Sequence, residues 1–410
     1  MGWRAPPEMF GGPSLLGVRT MAESIISGNT RSGLAFPTNA WATPFVSEAD
    51  ATFILRTRDW ARTTFDEIGQ DPKRWLERLG QRGFFERALD RERGGIHVTF
   101  LSQVREAMAG VCGTADSLVA VQTLVAYTLL RSPAHGDMVN LLAGGRAMAA
   151  FALTEADAGS DILGTKTRAV RGVDGYRITG QKVLVSQGHS ADFLLVFART
   201  GESGPQALSA FLVPADRAGV RTRSLASLAP HPLSEVTLED VHVPLGARIG
   251  PEGSGFRAAL DALARVRPSV GAAAVGMAEA ALGAALDRAS SRMIFGSPLA
   301  NNEAIRARLA DAATDLEASR LLVYRAAWLI DQGAIEPRSC GAPGSMAKLF
   351  ATERAQSIID MALQVFGGHG ILAGTLVERL YREVRALRLY EGTSEIQRVV
   401  IARELFDDVG

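Results

Sequence analysis

The segment 152–161 has the sequence ALTEADAGSD, and the segment 390–397 has the sequence YEGTSEIQ. Each is polar, contains glycine, and lies at the edge of a segment with an ordered hydrophobic pattern. Thr154 and Ser160 supply hydroxyl groups in the first segment, and Glu391 supplies a carboxylate in the second. Binding and catalytic groups concentrate on loops of this kind. A single loop carries little information, so the informative feature is the pair, in this order and at this separation.

The bulk composition excludes several classes of protein. The chain has 410 residues, of which 47% are hydrophobic and 21% charged, so it can bury a large core and is not intrinsically disordered. Its length predicts two to three domains. Lys+Arg and Asp+Glu each number 44. Because the formal net charge is zero, the composition gives no support to a nucleic-acid partner or an acidic membrane surface.

Cysteine usage and hydropathy predict a cytoplasmic protein. Cys112 and Cys340 are the only cysteines and lack metal-ligand spacing, so we expect free thiols in a reducing compartment and no metal site. No uninterrupted apolar run reaches the roughly 18 residues that span a bilayer. Residues 1–45 are rich in Gly, Pro, Ser and Thr. They are predicted to form a poorly ordered arm.

Hydrophobic periodicity divides the rest of the chain into three regions. Residues 46–150 show helical spacing and predict an N-terminal helical domain. Residues 151–248 contain short β-branched or aromatic runs between turn signals, which favours an antiparallel barrel or sandwich over a parallel nucleotide-binding sheet. Residues 249–410 return to the helical pattern. The predicted fold class is therefore α+β, a helical bundle interrupted by a β-domain.

Capping residues indicate where two helices in the last region begin. One helix is predicted over residues 302–330, with Asn301 or Asn302 as its N-cap. Another is predicted to start near Ser394, with Gln397 three positions later in a capping-box relation. The second helix directly follows the Glu391 segment.

The two loop segments and several motifs in the last third of the chain resemble the acyl-CoA dehydrogenase family. These motifs are GSGF at 253–256, Arg292 with FGSPL at 295–299, QVFGGHG at 364–370 and VERLYR at 377–382. The resemblance implies an N-terminal helical domain, a middle antiparallel β-barrel or sandwich domain and a C-terminal four-helix bundle. It also implies an FAD cofactor, and a homodimer or homotetramer in which each flavin site borrows residues from a neighbouring subunit.

By resemblance, two groups of residues contact FAD. Reduced flavin carries negative charge near N1 and O2, so fixed donors and dipoles there raise its electron affinity. The group expected at the flavin ring is Phe151, Leu153, Thr154, Ser160, Leu184 and Ser186. An arginine fork can bond two pyrophosphate oxygens, and adjacent glycines let backbone N–H groups approach closely. The other expected group is Arg292, Phe295, Gln364, Gly367 and Gly368, with Thr393 and Glu395 beside the second loop.

Glu391 stands where the family places its catalytic base. Removal of an α-proton from an acyl thioester needs a base whose pKa a dry, apolar site raises toward neutrality. The resemblance implies that the substrate also contacts Ser160, Arg267, Tyr390 and Gly392. The implied reaction gives a trans-2-enoyl thioester, and an electron-transfer flavoprotein reoxidises the FAD.

Two departures from the family pattern leave other functions open. Leu184 replaces the family's flavin-side tryptophan, and the loop 227–235 is several residues shorter than usual. The short loop leaves open whether the acyl group is carried by CoA or by a carrier protein. The replacement of tryptophan supports an oxygen-reactive flavin oxidase or monooxygenase as the alternative, and a non-catalytic flavin-binding subunit is the third possibility. The histidines at 97, 189, 231 and 369 are interpreted as turn or packing residues.

Overall fold

The structure, a computed structural model, describes residues 45–229, 231–334 and 341–407. Helices precede and follow a block of strands, in the order expected from the sequence. The helices are α1 (Glu48–Ile68), α2 (Pro72–Gln81), α3 (Phe84–Ala88), α4 (Val98–Ala109), α5 (Gly113–Leu130), α6 (Gly136–Ala143), α7 (Gly255–Ser291), α8 (Glu303–Asp331), α9 (Gly341–Phe366), α10 (Leu376–Leu387) and α11 (Ser394–Asp407). The predicted arm over residues 1–45 lies, apart from Phe45, outside the described residues.

The strands are β1 (Leu89–Asp90), β2 (Gly95–Ile96), β3 (Ala149–Ala152), β4 (Arg168–Arg171), β5 (Gly175–Ser186), β6 (Phe193–Arg199), β7 (Leu208–Pro214), β8 (Val220–Leu225), β9 (Leu233–Pro244), β10 (Arg248–Ile249), β11 (Met293–Ile294) and β12 (Ser297–Pro298). β3 to β10 form one sheet in the order β10-β7-β6-β4-β5-β9-β8. β3 lies outside this order and pairs in parallel with β6.

Most pairings in the sheet are antiparallel, as the short strands with turn signals predicted. The long strands β5 and β9 pair along their lengths, with an irregularity between Lys182 and Val185. Such an irregularity bends a strand and redirects its side chains. Here it falls beside the end of β3, where the first loop segment begins, so it shapes one wall of the candidate site.

The C-terminal helices form a bundle around α7. This helix packs against α4, α8 and α9. Gly276 lets α4 and α7 approach closely, since a Cβ atom there would lie 2.0 Å from the carbonyl oxygen of Glu106. The predicted cap of α8 is confirmed, because the Asn302 side chain accepts from the N–H groups of Ala304 and Ile305.

A buried ionic cluster joins four helices. Arg58 of α1 donates to Glu279 of α7 at 2.5 Å. Arg320 of α8 donates to Glu106 of α4 at 3.0 Å, and the Tyr324 hydroxyl donates to the same carboxylate at 2.8 Å. Removing one partner would leave a buried charge uncompensated. The cluster therefore fixes how the N-terminal helices sit on the bundle.

Two described helices, α5 and α7, are long and apolar enough to cross a membrane by length and composition. This differs from the sequence expectation, which counted only uninterrupted apolar runs. In both helices 83% of the most apolar window is buried inside the protein. They are therefore core helices of this fold, and their apolar character follows from burial on several sides.

Candidate active site

Glu391 lies in the turn that joins α10 to α11. Its φ is +54°, and Gly392 follows at +88°. A non-glycine residue in this region costs about 1–3 kcal/mol and persists only where its surroundings hold it. Gly392 is required for a second reason, because a Cβ atom there would lie 2.6 Å from Nε2 of Gln397. The strained turn is typical of a functional site.

Two side chains hold the backbone of this turn. The Gln397 amide donates to the carbonyl oxygens of Glu391 and Gly392, at 3.2 and 2.8 Å. Nζ of Lys348 in α9 donates to the Tyr390 carbonyl oxygen at 2.6 Å and also to the Gly392 carbonyl oxygen. Three consecutive carbonyl groups around Glu391 are thus occupied by donors from α9 and α11.

The predicted capping box at Ser394 is wrong. Thr393 caps α11, with its hydroxyl accepting from the Ile396 N–H at 3.4 Å and its carbonyl from the Gln397 N–H. Ser394 instead donates to Glu353 at 2.6 Å. Gln397 turns back toward the carbonyls of the turn, because the missing Cβ of Gly392 leaves space for its amide.

The Glu391 carboxylate lies among several charged groups. Its Oε2 atom is buried without a hydrogen-bond partner among the described residues. Burial raises the pKa of Glu391, and the positive charges of Arg105, Lys348 and Arg267 oppose the rise without cancelling it. Asp116 adds to the rise. A carboxylate with a raised pKa and an unoccupied acceptor atom is suited to take up a proton.

Arg105 and Asp116 both interact electrostatically with this carboxylate. They make a bidentate, buried ion pair between α4 and α5, at 2.8 and 3.0 Å. Arg105 also donates to Ser269 of α7 at 2.9 Å. Neither residue is among the sites predicted from the sequence. Their only local signal is a charge inside the mostly apolar stretch 101–130, which by itself does not point to a site.

The first loop segment is tied to strand β5. Lys182 donates to the Glu155 carboxylate at 2.8 Å and to the Leu153 carbonyl oxygen at 2.9 Å. The Val183 N–H donates to the Thr154 carbonyl oxygen at 2.9 Å. The structure therefore brings the predicted residues 151–154 together with the strand that carries Leu184 and Ser186. Ser160 lies on the exposed end of the same loop.

Leu184 and Ser186 lie at the end of β5 and differ in their surroundings. Leu184 has a φ of +56° and is 57% exposed. Ser186 Oγ lies 2.9 Å from Nε2 of His231, which also lies 3.4 Å from Ser117 Oγ. Burial lowers the pKa of His231 to about 4. His231, interpreted from the sequence as a turn or packing residue, therefore stands as a neutral ring beside a predicted flavin contact.

The other predicted substrate residues lie around Glu391. Arg267 is buried and donates to Ser345 at 3.0 Å. Ser345 lies in α9, about one helical turn before Lys348. Tyr390 is half-buried, and burial raises the pKa of its phenol. The structure thus places Arg267, Tyr390 and Gly392 near Glu391.

The remaining predicted cofactor residues form a separate, exposed group. Phe295 lies at the tip of the β11–β12 hairpin with a φ of +48° and its side chain fully exposed. Arg292, Gln364, Gly367 and Gly368 are exposed as well. The last turn of α7, which leads into the hairpin, lies beside the end of α9, because the Arg288 guanidinium lies 5.8 Å from the ring centre of Phe366. Because these residues are exposed, a single chain presents the group outward.

Two regions of the chain match known protein domains. Residues 253–406 match the acyl-CoA dehydrogenase C-terminal domain, and residues 150–241 match the acyl-CoA dehydrogenase middle domain. The chain is 35% identical over 361 residues to cyclohexane-1-carbonyl-CoA dehydrogenase of Geobacter metallireducens, covering 85% of this chain and 93% of that protein. It is 35% identical over 347 residues to the caffeyl-CoA reductase-Etf complex subunit CarC of Acetobacterium woodii, covering 82% and 90%.

A solved structure, the FAD complex of PigA, superposes with a TM-score of 0.80 at 25% identity, covering 88% of this chain and 98% of that one. The two matched domains span both halves of the candidate site, with Leu184 and Ser186 in the middle domain and Glu391 in the C-terminal domain. The chain belongs to the acyl-CoA dehydrogenase family, whose members are flavoprotein oxidoreductases that act on CH–CH bonds.

Proposed function

We propose that this protein is an FAD-dependent dehydrogenase that converts an acyl thioester to its trans-2-enoyl thioester. The observation that carries the proposal is the Glu391 carboxylate, held on a strained turn with a raised pKa and a buried Oε2 atom that has no partner among the described residues. A buried acceptor left without a partner is costly unless a ligand meets it. We infer that the α-carbon of the substrate lies against this atom.

The residues at the end of β5 and in the first loop suit a flavin ring. Half-exposed Leu184 offers an apolar surface, Ser186 a hydroxyl, and the loop after β3 its backbone groups. The exposed Arg292 guanidinium suits a pyrophosphate, since its fork bonds two oxygens. When bound, FAD would accept the hydride from the β-carbon.

Residues of the chain have separate roles in the proposed reaction. Glu391 accepts the α-proton, and its backbone N–H donates to the thioester carbonyl oxygen, which stabilises the charge that develops there. The positive charges of Arg105, Lys348 and Arg267 favour the ionised form of the base and so oppose the effect of its burial. The Gln397 and Lys348 donors keep the turn in one conformation, so the carboxylate is held in place when substrate arrives.

The proposed partners follow from the relatives and from the exposed cofactor group. CarC is named as a subunit of a reductase-Etf complex, so we propose an electron-transfer flavoprotein as the acceptor. Because Phe295 and its neighbours face outward, a second copy of the chain would bring them to its own flavin, in a homodimer or homotetramer. We propose that the thioester is carried by CoA or a carrier protein and that the enzyme is cytoplasmic.

One observation favours a second candidate function. Leu184 replaces an aromatic residue of the family and is 57% exposed, which leaves one flavin face less covered and open to oxygen. An oxygen-reactive oxidase or monooxygenase would use the same fold. Retention of Glu391, with its buried Oε2 atom on a strained turn, favours the dehydrogenase over this alternative.

The experiment is anaerobic mixing of the purified holoenzyme with a panel of acyl-CoA and acyl-carrier-protein thioesters. Bleaching of the flavin absorbance, with the enoyl thioester identified by mass spectrometry, is the expected result. Reoxidation is then followed with an electron-transfer flavoprotein and with oxygen. If no thioester bleaches the flavin, the dehydrogenase proposal fails. If oxygen reoxidises the flavin rapidly with release of peroxide, the oxidase replaces it.

A further inference from the structure

Lys348 is a buried amine directly behind the turn that carries Glu391. Its side chain is 1% exposed, and its position lies 43 residues before the base in the sequence. Nζ donates to the carbonyl oxygens of Tyr390 and Gly392, the two residues that flank Glu391. A lysine is almost never fully buried unless it is paired. The burial of Lys348 at this position therefore needs a structural or functional explanation.

We propose that Lys348 is a positioning residue for Glu391: its ammonium group holds the backbone on both sides of the base, and its charge favours the ionised form of the carboxylate. The inference rests on the proposed function, because it takes Glu391 as the base. Lys348 acts through the turn and through its charge and is not assigned any contact with substrate or flavin.

The backbone conformation of Glu391 needs support from its neighbours. Its φ of +54° costs about 1–3 kcal/mol relative to an ordinary conformation, so the turn would relax if nothing held it. Hydrogen bonds from a charged donor are roughly twice as strong as neutral ones. Lys348 supplies two of them to this turn, and the neutral Gln397 amide supplies two more.

Charged groups on four helices interact with the base. Glu391 is faced by Arg105 of α4, Asp116 of α5, Arg267 of α7 and Lys348 of α9. Lys348 is itself faced by Glu391 and Arg267, and burial lowers its pKa to about 8, although Glu391 opposes the shift. Lys348 is therefore protonated below pH 8 and stabilises the ionised form of Glu391. Without it, the carboxyl group should keep its proton to a higher pH.

The experiment compares Lys348→Met, Lys348→Arg and Gln397→Leu by the pH dependence of anaerobic flavin reduction in the holoenzyme. Gln397→Leu is the matched control, because it removes neutral donors from the same turn without changing the charge. We expect the maximal rate to fall about tenfold to a hundredfold in Lys348→Met, as for a small displacement of a reacting group. Its acid limb should move to higher pH, whereas Lys348→Arg and Gln397→Leu should keep the wild-type limb.

A second readout does not depend on turnover. Infrared difference spectra of each protein against its Glu391→Gln counterpart report the protonated carboxyl band of Glu391 across a pH titration. This band should persist to higher pH in Lys348→Met. If Lys348→Met does not fold, Lys348→Gln serves in its place, since it keeps a donor and removes the charge. An acid limb and a carboxyl band that both match wild type in the charge-removing variant would overturn the inference, whatever the substrate proves to be. Absence of bleaching in wild type alone would count against the proposed function only.

Discussion

The Glu155 carboxylate and the Lys182 ammonium group form a buried ion pair with 2.8 Å between Oε1 and Nζ. Lys182 has no solvent exposure, and Glu155 has 8%. Glu155 also accepts from the N–H and the hydroxyl of Thr167, at 3.0 and 2.6 Å. The pair joins the loop after β3 to the strand that carries Leu184 and Ser186. It therefore fixes the two sides of the proposed flavin site relative to each other.

Lys182→Met should destabilise the protein and release FAD. Removing one partner of a buried pair leaves the other charge uncompensated and costs about 3–5 kcal/mol. Lys166→Met is the matched control, because Lys166 pairs with Asp157 of the same loop at 2.8 Å with both side chains exposed. Exposed pairs contribute little. Thermal unfolding and flavin content are measured for both variants. Equal losses of stability and of FAD in the two would contradict a structural role for the buried pair.

The same pair predicts an acid-dependent loss of FAD. Burial alone would raise the pKa of Glu155, but Lys182, Thr167 and the Lys166 N–H hold it below its usual value. The stabilisation is therefore complete above the usual carboxyl pKa and is lost as pH falls through the lowered value. Flavin release titrated from pH 6 downward should show this transition in wild type. Lys182→Met should show no such acid transition, since the pair is already absent.

Arg292→Ala should weaken FAD retention more than it weakens folding. The guanidinium is exposed and belongs to the hairpin group that a single chain presents outward. Its loss removes a bidentate, charge-assisted contact to phosphate, which is worth about 1.5–3 kcal/mol. Arg308→Ala, an exposed arginine of α8, is the control. Equilibrium dialysis of FAD checks the effect, and an affinity equal to that of Arg308→Ala would count against the phosphate contact.

Glu391→Gln should keep the fold and FAD while flavin reduction falls at least about a thousandfold, within the range for loss of a general base. The amide is nearly isosteric with the carboxyl group but cannot accept the proton. Glu235→Gln serves as control, because Glu235 pairs with Arg223 on the edge strand β8 at 2.7 Å. The rate of flavin reduction is measured by stopped-flow bleaching with the true substrate. A near wild-type rate in Glu391→Gln would mean that another group is the base.

Leu184→Trp should strengthen FAD binding by about 1 kcal/mol through aromatic stacking and slow any release of peroxide severalfold by covering the flavin face. The φ of +56° is no obstacle specific to tryptophan, since leucine already adopts it. Val170→Trp, at an exposed position of β4, controls for an added aromatic side chain. FAD affinity and peroxide release are the measurements. If both stay at wild-type values, Leu184 does not lie against the flavin.

His231→Gln should make stability less dependent on pH. Burial lowers the pKa of His231 to about 4, so between pH 4 and 6.5 the unfolded chain binds a proton that the folded one does not. Wild type should lose about 2 kcal/mol of stability at pH 5 relative to pH 7.5 from this group. His189→Gln, where the ring bonds Thr222 on the exposed side of the sheet, is the control. Thermal unfolding at pH 5 and pH 7.5 is measured for wild type and both variants. The same change in stability between the two pH values in both variants would contradict the prediction.

Local pattern predicted the helices and strands and pointed to Glu391 as the candidate base. Asn302 as a helix cap needs only its own side chain and the next turn, and the alternation of apolar residues predicts strands in the middle region. Tyr390, Glu391 and Gly392 form one continuous turn, so a sequence motif identifies them. Period-two alternation along β5 also places Lys182 on the same inward face as Tyr176 and Ile178. A lysine at an inward position is a signal that points to a buried partner.

The charge environment of the base depends on residues that meet only when the chain folds. Arg105, Arg267, Lys348 and Glu391 come from four segments separated by up to 286 positions. Electrostatic interactions depend on distance and burial, and neither is encoded in the spacing of these residues along the chain. For the same reason, no local pattern predicted that Gln397 would bind the turn carbonyls or that His231 would meet Ser186. The residue types at the site can be read along the chain, whereas the pKa of its base and the conformation of its turn arise from contacts between distant segments.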